Sequence, residues 1–292
     1  MHDQAICFSF DKLAIRGAYV SLGDSVKTAQ GVSAYPESIQ LLLAQFMSAT
    51  AVISELTRFD GLMTLQARSD QQLGLIMSEH HSNGNMRAIA RNYSGAISND
   101  FKQLLGEGIL TLTLDPEVGK RYQGIIALVD NNLTDSLSHY FKQSEQLNTH
   151  IVIRHTNEGA AALMLQAIPN TEHSSLNEND WLAAVSIAET LSSEEAGSLS
   201  YSDILFRLFH EFDVRVQEPR PLQYYCNCSK QRISKALKTV SEQELRSFVE
   251  QDGQIEVNCD FCDKAYLFSH DDLDSIFNTQ QPHITHTDTK LH

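Results

Sequence analysis

Four of the five cysteines in this 292-residue chain lie in its last quarter, as Cys226-x-Cys228 and Cys259-x-x-Cys262. Two close thiol pairs separated by 30 residues form the pattern with which a chain surrounds one tetrahedral soft-metal ion. The spacing therefore predicts a zinc site whose ligands are all four sulfurs. The remaining cysteine, Cys7, lies near two phenylalanines and is predicted to be a small buried apolar side chain.

Three roles are open to such a zinc ion. It could be a structural staple for about 55 residues with a thin core, which is the role that the spacing alone favours. A catalytic role is disfavoured, because four sulfurs leave no coordination position for water. In a redox switch, zinc would hold the thiols as thiolates, the form that oxidants attack. Each pair is close enough to form a disulfide, Cys226–Cys228 and Cys259–Cys262, and disulfide formation would expel the metal.

The charge distribution argues against a nucleic-acid partner. The net charge is −15, and no part of the chain is basic. Residues 1–170 carry 16 acidic against 12 basic side chains, residues 171–223 carry 10 against 3, and residues 224–292 carry 11 against 7. Because neutralisation of phosphates dominates nucleic-acid affinity, an acidic surface of this kind provides little of it.

The N-terminal residues and the apolar runs predict a soluble, cytoplasmic protein without a membrane partner. Residues Met1–Gly17 carry four charged side chains and do not form a signal peptide. The longest strongly apolar run, Leu41–Met47, is too short to span a bilayer. In a reducing compartment, clustered thiols are typical of metal ligands or redox groups rather than of structural disulfides.

Residues 1–170 are predicted to form a mixed α/β core with large β-sheets, in an α+β fold. A helix is expected to begin at Pro36, because apolar residues follow at spacings of three and four. A second helix is expected over Thr134–Gln146. Alternating or continuous apolar runs predict strands at Leu62–Ala67, Leu73–Met77, Met86–Tyr93, Ile109–Leu114, Gly124–Val129, His150–Arg154 and Ala162–Ile168.

A polar stretch at residues 169–179 predicts the boundary of a helical, metastable linker over residues 171–223. Asn179 or Asp180 is expected to cap its first helix, a capping box of Ser192 and Glu195 its second, and Ser202 its third. Short acidic helices of this kind are marginal in isolation, so they need a surface to pack on.

Residues 224–278 are predicted to form a small zinc-binding module. A helix is expected over Ser229–Val240, and a capping box of Ser241 and Glu244 is expected to begin another. A strand over Ile255–Val257 would then lead to Cys259. The tail, residues 279–292, has no apolar pattern and is predicted to be disordered.

Several short motifs accompany the two cysteine pairs, namely Cys226-Asn227-Cys228, Cys259-Asp260-Phe261-Cys262, Tyr266-Leu267-Phe268, Phe59-Asp60-Gly61, Met86-Arg87 with Ala90-Arg91, Arg121-Tyr122-Gln123-Gly124 and Ser144-Glu145-Gln146-Leu147. In these motifs, and along essentially its whole length, the chain resembles the bacterial redox-regulated 33-kilodalton heat-shock protein family. Asp263 departs from the family pattern, since glycine is common after the last cysteine, and this departure affects only the local backbone.

This resemblance implies an ATP-independent holdase that is inactive while reduced and zinc-bound. Oxidation would convert the four zinc ligands into two disulfides, release zinc and unfold the linker. The exposed apolar surface would then bind unfolding client proteins, with substrate binding and dimerisation assigned to the core over residues 1–170. The activated form would be a homodimer acting under oxidative stress.

Two other classes of function are alternatives to a chaperone. The cysteine spacing alone also fits a structural zinc ribbon that binds nucleic acid or a protein partner. An enzyme is not expected, because the chain has no phosphate loop, nucleophile elbow or zinc-protease motif. The pairs His80-His81 and His210-Glu211 are interpreted as surface or core residues.

Overall fold

The computed structural model describes residues 2–95, 97–168 and 177–277. The chain divides into two compact units, the first ending at Cys226 and the second beginning at Asn227. The predicted disordered tail and most of the polar stretch at residues 169–179 lie outside the described residues. The boundaries of the linker and of the zinc module stay predictions.

Strands and helices are interspersed along the described residues. In chain order the strands are β1 Gln4–Phe10, β2 Ile15–Leu22, β3 Gly61–Arg68, β4 Leu73–His81, β5 Asn85–Tyr93, β6 Ile109–Pro116, β7 Tyr122–Ala127, β8 Thr149–Thr156, β9 Gly159–Ala167, β10 Val214–Val216, β11 Arg220–Pro221, β12 Gln223–Tyr224, β13 Ile255–Asn258 and β14 Ala265–Phe268. The helices are α1 Asp24–Gly31, α2 Glu37–Thr57, α3 Phe101–Leu105, α4 Leu133–Tyr140 with a π-helical turn Phe141–Glu145 after it, α5 Glu178–Glu189, α6 Ser193–Ser198, α7 Tyr201–Phe209, α8 Lys230–Leu237, α9 Glu242–Asp252 and α10 His270–Phe277.

Within the described residues, the first unit contains two six-stranded sheets. The first sheet has the order β10-β1-β2-β9-β8, with β11 also paired to β1. The second has the order β12-β5-β4-β3-β6-β7, in which β12 runs parallel to β5 and the other neighbours are antiparallel. Largely antiparallel sheets with separate helices confirm the predicted α+β class.

Helix α2 is buried between the two sheets of the first unit. It packs against β1, β2, β8 and β9 of the first sheet and against β3, β4 and β5 of the second. The helix is long and apolar enough to cross a membrane by length and composition, but 83% of that apolar window is buried inside the protein. A helix that is apolar around most of its circumference is typical of such a sandwiched position.

The opposite face of the first sheet is covered by α5, α6 and α7. These helices share one apolar cluster with β1, β2, β8 and β9. At its centre the ring of Phe209 lies 5.7 Å from that of Phe8 and 5.2 Å from that of Phe10, centroid to centroid. The surface that the short helices were expected to need is therefore the first sheet.

The first of these helices begins two or three residues earlier than predicted, and the third begins two residues earlier. Asn177 caps α5 and Ser200 caps α7, in place of Asn179 or Asp180 and of Ser202. In each case the side-chain oxygen accepts the amide hydrogen three residues further along. An N-cap side chain accepts a hydrogen bond from an amide two or three residues later, so the earlier polar residue occupies the N-cap position.

The two predicted capping boxes have different outcomes. The reciprocal hydrogen bonds of Ser192 and Glu195 form at the start of α6, which confirms that prediction. The prediction for Ser241 and Glu244 is wrong, because Ser241 occupies the N-cap position but makes no side-chain cap hydrogen bond. The start of α9 is exposed, so water can accept hydrogen bonds from the amides of its first turn.

The second unit is small and has a thin core. It consists of α8, α9, the antiparallel hairpin β13–β14 and α10. Gly253 ends α9 in the left-handed conformation and turns the chain into β13. The buried core residues described in this unit are Leu237, Leu245, Val249, Phe268, Leu273 and Ile276.

We expect Phe209→Ala to destabilise the first unit by about 3–5 kcal/mol, because it removes the aromatic ring between Phe8 and Phe10 and leaves a cavity. Phe206→Ala is the matched control on the same helix, since that side chain is 72% exposed. Chemical denaturation of both variants measures the difference. Equal destabilisation by the two substitutions would contradict the described packing of α7.

Candidate metal centre

The four cysteines come together as predicted from their spacing. The sulfurs of Cys226, Cys228, Cys259 and Cys262 all lie within 4.8 Å of one another. A tetrahedral zinc–thiolate centre with bonds of about 2.3 Å would have sulfur–sulfur distances of about 3.8 Å. Donor type, number and spacing therefore fit one tetrahedral ion, so the cluster could hold a metal ion such as zinc.

The turn of the hairpin β13–β14 presents Cys259 and Cys262. The amides of Cys262 and Asp263 donate to the carbonyl of Cys259, at 3.3 and 2.8 Å, and the amide of Cys259 donates to the carbonyl of Lys264 at 3.0 Å. Asp263 takes a left-handed conformation with φ 56°. The resemblance led us to expect glycine at this position, and glycine adopts that conformation without strain.

Cys228 lies immediately before the N-cap of α8, Ser229. Its sulfur accepts a hydrogen bond from the hydroxyl of Tyr266 at 3.1 Å and lies 3.4 Å from the sulfur of Cys262. That sulfur–sulfur distance is well above a disulfide bond length of about 2.05 Å. This approach joins one sulfur from each pair.

Cys226 is held by the first unit through a short parallel ladder. Strand β12 pairs with β5, and the amide of Tyr225 donates to the carbonyl of Met86 at 2.9 Å. The next residue of β5, Arg87, then donates from Nη1 to the sulfur of Cys226 at 3.7 Å. A hydrogen bond to the charged form of a thiol favours the thiolate, which is also the metal-binding form.

A carboxylate fixes the guanidinium that contacts this sulfur. Arg87 Nε lies 2.6 Å from Glu79 Oε2, and both side chains are largely buried. Burial by itself would lower the pKa of Arg87, but Glu79 and Cys226 raise it on balance. The motif Met86-Arg87 was noted in the sequence, but nothing in the sequence connects Arg87 with the cysteines, because it lies 139 residues before Cys226.

The basic side chains nearest in sequence to the cysteines have other contacts. Lys230 pairs with Asp272 at 2.8 Å and lies over the ring of Phe268. Lys264 lies over the ring of Tyr266. Four thiolates around a divalent ion leave a net charge of about −2, and Arg87 places a positive charge on the sulfur of Cys226.

The predicted non-ligands also have defined positions. Cys7 is buried in the core between α2 and the first sheet, as predicted. His80 is buried and His81 is half-buried, so His80 is the core residue of that pair. The histidines of the tail lie outside the described residues.

These features define an α+β protein whose C-terminal part carries a four-cysteine cluster able to hold a metal. The family model described as "Hsp33 protein" matches residues 3–269. The chain therefore belongs to the Hsp33 family, and its membership supports a chaperone role.

Relatives of similar length support the same assignment. The chain is 37% identical over 280 residues to a "33 kDa chaperonin" of Pseudomonas aeruginosa (strain LESB58), covering 94% of each. It is 33% identical over 289 residues to a "33 kDa chaperonin" of Pectobacterium carotovorum subsp. carotovorum (strain PC1), covering 98% of this chain and 99% of the relative. The fold is similar to the crystal structure of the 33 kDa chaperonin homologue from Thermotoga maritima, with a TM-score of 0.78, 20% identity, and coverage of 94% of this chain and 98% of that one.

We expect Cys259→Ser to weaken metal binding severely, because a hydroxyl is a poor soft-metal ligand at neutral pH. The second unit, with its thin core, should then lose its structure in reducing buffer. Zinc content and far-UV circular dichroism measure the two effects, with Cys7→Ser as the control that keeps its metal. Retention of a full zinc complement by Cys259→Ser would refute the ligand assignment.

We expect Arg87→Gln to lower zinc affinity about tenfold, since groups that support metal ligands typically contribute this much. Arg87→Lys should recover part of the loss, because it keeps the charge but not the planar donor group. Arg91→Gln is the matched control, four residues further along β5. Competition with a chromogenic chelator measures the affinities, and equal values for the Gln variants at 87 and 91 would exclude a role for Arg87.

Proposed function

We propose that this chain is a redox-regulated, ATP-independent holdase that is inactive while reduced and zinc-bound. The observation that carries the proposal is the convergence of the four cysteine sulfurs within 4.8 Å of one another. A centre of this kind is closed to substrate, so it suits a structural or regulatory role and not hydrolysis. Membership of the Hsp33 family supports the chaperone role itself.

In the resting state, Cys226, Cys228, Cys259 and Cys262 hold zinc. Structural zinc contributes roughly 10–16 kcal/mol in small domains, whereas the net stability of a whole domain is about 5–15 kcal/mol. The second unit has few buried apolar residues of its own. Its folding therefore depends on the four thiolates.

Oxidation changes the sulfurs from ligands into bridged pairs. Each disulfide forms when two thiolates give up two electrons to one peroxide molecule, which takes up two protons and leaves as two waters. Bridged sulfurs are no longer thiolate ligands, so the metal is lost and the second unit unfolds. We assign the disulfides to Cys226–Cys228 and Cys259–Cys262, the pairs that are adjacent in sequence.

The helical layer formed by α5, α6 and α7 is the element that opens next. The helices are short, and residues 171–223 carry 10 acidic against 3 basic side chains, so repulsion favours their release. Their departure uncovers the outer face of the first sheet. The largest buried side chains there include Ile6, Phe8, Tyr19, Leu163 and Leu165, and an apolar sheet face of this size suits exposed segments of unfolding clients.

Light scattering of a chemically denatured client tests the proposal. Peroxide-treated protein should suppress aggregation at substoichiometric to equimolar ratios, and reduced zinc-loaded protein should not. Equal suppression of aggregation by both forms would refute redox regulation. If neither form suppressed aggregation, the holdase function would be refuted. Re-reduction with return of zinc is the control for irreversible damage.

Peptide mapping of the oxidised protein tests the disulfide assignment. We expect linked peptides that join Cys226 to Cys228 and Cys259 to Cys262. A bridge between Cys228 and Cys262, whose sulfurs lie 3.4 Å apart, is a competing outcome. If that bridge dominates, the assigned pairing is wrong even if zinc is released.

Dimerisation on activation, a cytoplasmic location and the absence of nucleic-acid or membrane partners stay predictions. Light scattering coupled to size-exclusion chromatography, before and after oxidation, measures the first. A mobility-shift experiment at low salt measures nucleic-acid binding, which the net charge of −15 disfavours.

A further inference from the structure

A buried carboxylate lies near the C-terminal end of α2. The side chain of Glu55 is only 3% exposed. A charged group in such a position is costly unless it is paired and hydrogen-bonded. Burial raises the pKa of Glu55, and the positive charges of Arg220 and, more weakly, Arg58 oppose that rise.

The ion pair to Glu55 comes from a residue 165 positions later in the chain. Arg220 Nη1 lies 3.0 Å from Glu55 Oε2, and its Nη2 donates to the carbonyl of Ser82. One guanidinium thus joins α2, the turn after β4 and the strand β11.

The neighbouring imidazole does not supply the counter-charge. His80 Nε2 lies 3.8 Å from Glu55 Oε1, and His80 Nδ1 is hydrogen-bonded to the hydroxyl of Ser54 at 2.9 Å. Burial, followed by repulsion from Arg220, lowers the pKa of His80 to about 3. The ring is therefore neutral at physiological pH, and the charge of Glu55 depends on the arginine.

Arg220 belongs to the segment Val214–Tyr224, whose backbone is also held by short ladders to β1 and β5. Strands β10 and β11 are only three and two residues long and lie along β1. Between and after them, the amide of Gln217 donates to the carbonyl of Cys7 and that of Leu222 to the carbonyl of Asp3, both at 2.9 Å. Most side chains of the segment are exposed, but Leu222 is buried in the core, and Val214 and Tyr224 are partly buried against it.

We propose that Arg220 and Glu55 form a clasp that locks the segment Val214–Tyr224 onto the core. The segment follows α7 in the chain and precedes Cys226, so it lies between the helical layer and the first cysteine. While the clasp is closed, the C-terminal end of the helical layer stays anchored through α2. A role of the clasp in regulating activity rests on the proposed holdase function. Its role in holding the segment on the core does not.

Hydrogen exchange of the reduced, zinc-loaded full-length protein, followed by mass spectrometry, tests the clasp. In Arg220→Met, peptides that contain the amides of Gln217 and Leu222 should exchange about tenfold faster, an effect moderated by the half-exposed position of the guanidinium. Arg215→Met is the matched control, because that arginine lies on the same segment and pairs with Asp11 outside the buried site. Equal exchange in the two variants would overturn the proposal.

Glu55→Gln provides a second variant that leaves the segment's own sequence intact. It should accelerate exchange of the same peptides, and the double variant with Arg220→Met should exchange no faster than the faster single variant. Peptides from the β3–β4 ladder should keep their wild-type exchange. Independent, multiplicative effects of the two substitutions, or faster exchange throughout the core, would show that the residues do not act as a clasp.

This experiment uses neither oxidant nor client, so its outcome is independent of the aggregation assay. Oxidised wild-type protein that fails to suppress aggregation would refute the holdase proposal and leave the exchange result standing. Unchanged exchange in Arg220→Met would refute the clasp and leave the holdase proposal standing.

Discussion

The structure of the first unit depends on the apolar contact between the first sheet and the helices α5, α6 and α7. These helices come from the most acidic part of the chain and are too short to be stable alone. Burial of residues such as Leu205 and Phe209 against β1 holds them in place. The same contact keeps the outer face of the sheet from water, so one interaction stabilises the fold and hides the surface on which the proposed function depends.

The chain between the helical layer and the metal centre is fixed to the core by contacts that involve two arginines. Glu55, buried in α2, is neutralised by Arg220, and the sulfur of Cys226 receives a hydrogen bond from Arg87. Both arginines act on partners far away in sequence, and both contacts lie within the first unit. The core therefore fixes the chain at two places just before the second unit begins, while the second unit itself relies on four sulfurs and a thin core.

Much of the fold could be predicted from periodicity. The expected strands at Leu62–Ala67 and Ile109–Leu114 lie within β3 and β6, because one face of each is buried and the alternation is visible. Strands β1 and β2 were not predicted; both are largely buried, and in β2 Arg16, Gly17 and Ser21 interrupt the apolar residues, so no alternation is visible. Helix α2 was expected to have one apolar face, but it lies between two sheets and is buried on most of its surface.

The sequence by itself determined the composition of the candidate metal centre. Ligands two and three residues apart are held close by the chain, so the grouping into pairs and the choice of donor can be read locally. Only the tertiary structure decided which charges accompany them. Arg87 and Cys226 are 139 residues apart, and Glu55 and Arg220 are 165 residues apart. These partners meet because the sheets and α2 bring distant strands together, and no local pattern records that pairing.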